Sequence, residues 1–191
     1  MPNRHEPELV NRKVALLGFA AVGKSSLTNA FVNGTFNERY DPTIENTHHK
    51  IIRFRKVHFA TDIVDTAGMD DYSRLSRNAS VGVHGYVLVF STASRQSFDR
   101  IPNINEALLN ALGDAPGVPR VLVGSMRDLA DQRQVPYSDG VELAESLGMP
   151  YLECSSKRGE NVAEVFHTLL REIEKDDGLL TENEAGGCVI S

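Results

Sequence analysis

Residues Gly18 to Ser25 read Gly-Phe-Ala-Ala-Val-Gly-Lys-Ser, the spacing G-x-x-x-x-G-K-S. The flanking sequence fixes what this run can fold into. Val14-Ala15-Leu16-Leu17 before it is a short apolar run of the kind a buried strand shows. Ser25 to Val32 after it reads as a helix, with Asn33-Gly34 as its stop. A chain that enters a glycine-bounded loop as a strand and leaves as a helix aims backbone N–H groups into one concavity, at the positive end of the helix dipole. That is a receptor for phosphate, formed here by Ala21, Val22, Gly23, Lys24, Ser25 and Ser26. Gly18 and Gly23 permit the tight turn and the close approach of phosphate. Lys24 is expected to reach the β- and γ-phosphates, and Ser25 to offer its hydroxyl to Mg²⁺.

The rest of the chain supplies the frame. Its 191 residues are most simply one domain. Expected boundaries are a disordered N-terminus over 1–10, a folded domain over 11–175 and a flexible tail over 176–191. His48 to Arg55 and Val57 to Asp65 read as an antiparallel hairpin, and Tyr86 to Phe90 and Val121 to Val123 as strands covered on both faces. Between the last two lies a helical stretch carrying Phe98, Ile101, Leu108 and Leu112, in which Pro102 demands a kink or a late helix start. Ser138 is placed to cap a helix ending at Gly148, and Tyr151 to Cys154 is a last short strand. The final helix carries Val162, Val165, Phe166, Leu169, Leu170 and Ile173 on one stripe, with Asn161 and Glu164 spaced as a capping box. Alternation of strand and helix predicts an α/β fold: a mostly parallel sheet with helices on both faces and an antiparallel edge.

Composition removes other classes. A net charge of −6 with no basic stripe argues against nucleic acid as a partner. Two cysteines, Cys154 and Cys188, form no disulfide framework and fit a reducing cytosol. No apolar run approaches the ~18 residues of a membrane span. His48-His49 reads as surface.

Further motifs surround the loop. Asp65-Thr66-Ala67-Gly68 follows the strand-like run Asp62-Ile63-Val64, and Tyr40-Asp41-Pro42-Thr43-Ile44-Glu45 lies between the two motifs. An acid at a strand end beside a phosphate loop can hold a Mg²⁺-bound water, and Gly68 can bring its N–H to the γ-phosphate. Together these resemble the Ras superfamily of small GTPases, over about Arg12 to Lys175. Tyr40 to Asn46, Asp65 to Tyr72 and Gly85-Tyr86-Val87-Leu88-Val89 look closest to its Rheb branch. The resemblance implies a P-loop NTPase fold, a Ras-like G domain with a six-stranded sheet. It also implies GTP or GDP as ligand with Mg²⁺ as cofactor. Ser25 and Thr43 would be metal-coordinating hydroxyls and Asp65 a carboxylate acting through water. Phe36 would pack against guanine, with Tyr40 nearby. Lys24, Thr43 and Gly68 would be the catalytic groups, assisted by positioning and charge. Phe36 to Glu45 and Gly68 to about Ser80 would be two switch segments. An effector, by resemblance the target-of-rapamycin kinase complex, would bind Asp41 to Asn46 and the second switch, and a GAP would act on the same side.

The chain departs from that pattern in two places. After its fifth strand the family has Asn-Lys-x-Asp; here the run is Ser125-Met126-Arg127-Asp128. Asp128 can accept from N1–H and the exocyclic amine of guanine, which adenine does not offer. Ser125 is too short to span from base to phosphate loop as Asn does, and Met126 covers the base without a charge. Ser155-Ser156-Lys157 matches the family's Ser-Ala-Lys element, with Lys157 expected over the base. The expected result is guanine held more weakly and exchanged faster. Met69 stands where the family usually has the Gln that orients the attacking water, so hydrolysis is expected to be slow. A packing residue under the second switch is the alternative reading of Met69. Ala20 and Ala21 narrow the space for a GAP side chain.

Cys188-Val189-Ile190-Ser191 has the C-a-a-X pattern with Ser last, which implies a prenyl-transferase and a farnesyl group on Cys188. The preceding tail has no polybasic patch, so the expectation is reversible sampling of endomembrane or lysosomal surfaces from the cytoplasm. Two rivals remain: a constitutively GTP-bound, hydrolysis-deficient signalling adaptor, and a P-loop phosphotransferase. The Thr43 pattern and the absence of a lid or acceptor site argue against the second.

Overall fold

The computed structural model describes residues 9–37, 39, 42–54, 57–69, 75–113 and 117–176. Six strands form one sheet in the order β2-β3-β1-β4-β5-β6. They are β1 (Leu9–Leu17), β2 (Glu45–Phe54), β3 (Val57–Thr66), β4 (Gly85–Ser91), β5 (Arg120–Ser125) and β6 (Tyr151–Glu153). Only β2 runs antiparallel, against β3; every other pairing is parallel. The helices are α1 (Lys24–Asn33), α2 (Arg95–Asp99), α3 (Ile101–Ala111), α4 (Tyr137–Leu147) and α5 (Val162–Asp176).

Side-chain alternation divides the core into two layers. Val14 and Leu16 of β1, with Ile63, Val87, Val89, Val121 and Val123, pack under α1 and α5. Ala15 and Leu17, with Val64, Tyr86, Leu88, Phe90 and Leu122, pack under α2, α3 and α4. The central strands are therefore apolar on both faces, and their sequences read as continuous runs. The α5 stripe is buried throughout, and Phe166 stacks on Phe31 of α1 at 3.9 Å between ring centroids.

The termini of the helices show where local reading holds and where it fails. Gly34 ends α1 in the left-handed conformation, its N–H donating to Ala30 O at 3.1 Å. Pro102 forces a late start: α2 ends, Arg100 intervenes, and Pro102 occupies the first turn of α3, where its missing N–H is not needed. Ser138 does not cap α4. Pro136 takes the cap position two residues earlier, Tyr137 packs against Tyr151 with centroids 5.2 Å apart, and Ser138 lies inside the first turn. Asn161 forms no capping box either. It takes φ 57°, its Nδ2 donates to Glu153 O at 2.8 Å, and Glu164 accepts instead from Arg171 at 2.8 Å. The cause is the turn before it, closed by reciprocal 3.0 Å bonds between Ser155 and Glu160, which returns the chain to β6.

Arg12 of β1 donates to Glu174 of α5 at 2.9 Å, with both side chains buried. Removing one partner of such a pair strands the other charge in the core. Arg12→Met is expected to destabilise the protein by about 3–5 kcal/mol, read as a lower urea midpoint at unchanged slope. Arg12→Met with Glu174→Leu should recover most of that loss.

Candidate nucleotide site

The phosphate loop leaves β1 at the C-terminal edge of the sheet. Gly18 lies so close to the Val89 carbonyl of β4 that a Cβ at position 18 would overlap it. The loop then reverses through left-handed residues, Ala21 at φ 58° and Gly23 at φ 89°. Lys24, the first residue of α1, is 5% exposed, and its Nζ donates to Gly18 O at 3.0 Å and Phe19 O at 2.9 Å. Burial lowers the Lys24 pKa to about 8, against the opposing pull of the Asp65 charge. The loop thus holds an ammonium at its base that gives up its proton more readily than an exposed lysine.

β3 delivers Asp65 beside this loop, through the parallel register Leu16↔Asp65. The Asp65 carboxylate is buried; Ser25 bonds to it, and its Oδ1 has no partner among the described residues. Burial raises the Asp65 pKa, while the Ser25 hydroxyl and the charges of Lys24 and His48 oppose the rise. Ser25 Oγ is also 2.7 Å from Thr43 Oγ1, so the two hydroxyls and the carboxylate converge. No group of three or more His, Cys, Asp or Glu poised for a metal occurs among the described residues. One carboxylate and two hydroxyls suit a hard cation that takes the rest of its shell from phosphate oxygens and water, which is the preference of Mg²⁺. An orphaned buried carboxylate oxygen at the centre of this set fits such an ion.

Gly68 is pressed against the loop. A Cβ there would sit 2.5 Å from Ala20 Cα and 2.7 Å from Ala20 N, so no other residue fits without moving the backbone. The next N–H, from Met69, donates to Gly18 O at 3.0 Å. The Met69 side chain is 6% exposed and packs in the core layer under α2 and α3. It occupies the position as a packing residue.

The base side is assembled from three separated segments. Ser125 reaches the phosphate loop. Its buried Oγ bonds Val22 O at 2.5 Å, with Phe90 O at 2.9 Å. Met126 takes φ 58°, its Sδ accepts from Ser91 Oγ at 3.2 Å, and its methyl lies against Gly23. Asp128 Oδ1 accepts from Ser155 Oγ at 2.6 Å, and Ser155 Oγ accepts from Arg158 N at 3.1 Å. Cys154 beside them is buried and inert, its thiol pushed up to about 12 chiefly by burial. Ser156 is half-buried, while Lys157 and Phe36 are exposed. His48 is half-buried, and the exposed His49 pairs with Asp62 across the hairpin at 2.5 Å. Tyr40, Asp41 and Cys188 lie outside the described residues. Sequence reading missed Ser91 and Thr92. Thr92 Oγ1 donates to Ser125 O at 3.0 Å and fixes the 125–128 turn. The signal was their place just past an apolar strand, on the sheet edge where such sites form.

A phosphate cradle, a lone metal-type carboxylate and an acid held by a serine all lie at the C-terminal edge of one mostly parallel sheet. That arrangement defines a P-loop nucleotide-binding protein. The profile of the Ras family matches residues 13–175, and the chain belongs to that family. Over 180 residues it is 41% identical to the GTP-binding protein Rheb homolog of Dictyostelium discoideum, covering 94% of this chain and 97% of that one. It is 46% identical to the small monomeric GTPase RhbA of Aspergillus fumigatus, covering 94% of this chain and 96% of the relative. It is 40% identical to human GTP-binding protein Rheb, covering 96% of this chain and all of the human one. The chain is a Rheb-like small GTPase with the Ras-like fold. Among the described residues no helix is long and apolar enough to cross a membrane.

A phosphate bound at Lys24 favours its ammonium form. Because that group titrates near 8 in the folded chain, nucleotide binding above this pH must take up a proton. Affinity is therefore expected to fall as pH rises through about 8, with proton uptake visible by calorimetry in buffers of different ionisation enthalpy.

Proposed function

We propose that residues 11–175 form a guanine-nucleotide switch that binds Mg²⁺ with GTP or GDP, hydrolyses GTP slowly, and signals from a membrane through a lipid on Cys188. The domain so proposed gains Leu9 and Val10, which begin β1, and Asp176, which ends α5. The observation that carries the reading is the convergence of Lys24, Ser25, Thr43 and Asp65 at one point, with Asp128 oriented by Ser155 on the same sheet edge.

In this reading the N–H groups of Ala21 to Ser26 and the Lys24 ammonium hold the β- and γ-phosphates. Ser25, Thr43 and Asp65 hold Mg²⁺, which neutralises charge on the phosphates when bound. Gly68 brings its N–H toward the γ-phosphate because nothing larger than hydrogen fits beside Ala20. Thr43 follows the γ-phosphate and carries the state to residues 41–46, the proposed effector face. Asp128 accepts from guanine N1–H and its exocyclic amine, with Ser156, Lys157 and Phe36 around the ring. Likeness to the Rheb proteins supports the target-of-rapamycin kinase complex as effector, a GAP as partner, and a farnesyl anchor placed by a prenyl-transferase.

Base choice tests the site. Mg²⁺-GDP is expected to bind well above Mg²⁺-ADP by calorimetry, and Asp128→Ala to abolish the difference. Equal affinities in the unmodified chain would overturn the guanine assignment. The Ser125 hydroxyl is committed to the loop, so it adds nothing to the base. One missing hydrogen bond is worth about 0.5–1.5 kcal/mol, or roughly two- to tenfold faster GDP release, and Ser125→Asn should slow it.

A second reading, a constitutively GTP-loaded adaptor, is favoured by one observation: the Met69 side chain is in the core and brings no polar group to water at the phosphate. Single-turnover hydrolysis and the nucleotide content of freshly purified protein separate the two. The switch predicts measurable turnover, accelerated in Met69→Gln at some loss of thermal stability, because an amide replaces a packed thioether. Turnover in the unmodified chain as fast as in a Gln-bearing relative would defeat both the slow switch and the adaptor.

A further inference from the structure

We propose that Thr92 is a positioning residue whose hydroxyl aims Asp128 at guanine and slows release of the nucleotide. The proposal deepens the guanine reading and rests on it. Thr92 follows the last residue of β4, where the pair Ser91↔Ser125 ends the ladder with β5. It is 1% exposed, and each of its polar atoms is bonded. Its N–H donates to Ser125 O at 3.0 Å, and its carbonyl accepts from Gln134 N at 2.9 Å and Val135 N at 3.1 Å. Its methyl lies over Gly124, where an added Cβ would come within 3.1 Å of Thr92 Cγ2. Placing the methyl of a β-branched side chain also places its hydroxyl. Thr92 Oγ1 accordingly meets Ser125 O at 3.0 Å and Met126 O at 3.2 Å.

One hydroxyl reaches two successive carbonyls because Met126, between them, takes φ 58°. Helical dihedrals of either hand point neighbouring carbonyls the same way, whereas extended backbone turns them apart. A left-handed residue with a side chain is uncommon and persists where its surroundings hold it. Met126 O also accepts from Leu129 N at 2.9 Å, which closes a four-residue turn with Asp128 in its third position. The backbone that carries Asp128 therefore starts from the carbonyl that Thr92 holds. The carboxylate at its head is held by Ser155 Oγ at 2.6 Å. A threonine fixes the root of the acid and a serine fixes its tip.

The hydroxyl is not required to satisfy either carbonyl. Without it Ser125 O keeps the Thr92 N–H, and Met126 O keeps the Leu129 N–H. A valine would fill the same space and leave no buried acceptor bare, so its cost to the fold is small. What the hydroxyl adds is the orientation of the turn. A carboxylate that must accept from N1–H and from the exocyclic amine together depends on that orientation, because hydrogen bonds weaken steeply as their angles open. The phosphate cradle draws on Gly18, Lys24 and Gly68 and does not depend on Thr92. Loss of the hydroxyl should therefore be felt at the base.

The test compares Mg²⁺-GDP with Mg²⁺-IDP, whose base lacks the exocyclic amine, in the full chain and in Thr92→Val and Thr92→Ser. Affinities come from competition and release rates from displacement of a fluorescent GDP. The amine donates to a charged acceptor, so the unmodified chain should prefer GDP over IDP by about tenfold or more. Thr92→Val should release GDP about two- to tenfold faster and cut the GDP-to-IDP preference by about threefold or more, while Thr92→Ser keeps both near the unmodified values. Faster release at an unchanged preference would make the hydroxyl a support of the fold alone and overturn the proposal. Unchanged release in Thr92→Val would overturn it too. Should Thr92→Val not fold, Thr92→Cys places a weak thiol donor there and should show a smaller loss in the same direction; no loss would count equally against it. Equal affinity of the unmodified chain for GDP and ADP would overturn the guanine reading, and the role of Thr92 with it. A clear preference for GDP over ADP, with Thr92→Val indistinguishable from the unmodified chain, would overturn the role of Thr92 alone.

Discussion

The carbonyl of Gly18 is the point at which the two halves of the phosphate site are joined. It accepts from Lys24 Nζ and from Met69 N, each at 3.0 Å. Those two donors come from the start of α1 and from the segment after β3, so one oxygen sets both the depth of the ammonium and the path by which the chain leaves Gly68. The carbonyl is held in place because Gly18 backs directly onto the Val89 carbonyl, where any Cβ would collide. Ala20 in turn closes on Gly68. Backbone contacts at both glycines therefore fix the path of the cradle, and the side chains of Lys24 and Ser125 tie it from below. A substitution at either glycine moves the loop and the second segment together.

This arrangement explains what the sequence disclosed. The phosphate side is built from contiguous residues between a strand and a helix, so spacing alone revealed Lys24 and Ser25, and the run ending at Asp65 revealed the carboxylate. The sheet was equally legible, because strands covered on both faces appear as unbroken apolar runs at Tyr86 to Phe90 and Val121 to Val123. The base side was not. The bond from Ser125 to Val22 joins residues 103 apart in the chain, and the bond from Ser91 to Met126 joins residues 35 apart. No local pattern marks such partners. The caps at Ser138 and Asn161 misled for a related reason: Pro136 and the 155–160 turn, both tertiary features, decided where those helices began.

The base side also separates two tasks that a longer side chain at position 125 could combine. Ser125 keeps the tether to the loop, satisfying a buried carbonyl that would otherwise be costly to leave unpaired. Its single proton is used there, so it has none for the base. Met126 fills the adjoining space against Gly23 and accepts from Ser91, which stiffens the loop from the outside. In the proposed reading the phosphate cradle is thereby kept in geometry while the ring is left to Asp128 and its serine support. A weaker hold on the base with an intact cradle, as proposed, would favour exchange of one nucleotide for another without loss of the fold around it.

The β2–β3 hairpin connects this chemistry to the far end of the molecule. At the start of β2, Glu45 accepts from Ser76 Oγ and from Asn78 Nδ2, the latter at 3.0 Å, and Asn78 Oδ1 accepts from Lys13 Nζ of β1 at 2.8 Å. The segment after Gly68 is thus bound to the same edge of the sheet that carries Thr43. From there the ladder runs without a break from Glu45↔Thr66 to Phe54↔Val57. Ten paired residues at about 3.3 Å each make a lever roughly 33 Å long. It cannot respond by slipping, because a one-residue shift would turn Ile52 out of the core and Ile51 into it. A displacement of Thr43 that β2 followed would then pass along the hairpin as a tilt of the whole ladder. The far end of the hairpin is in this way continuous, through one unbroken ladder, with the end beside the Ser25 and Thr43 hydroxyls.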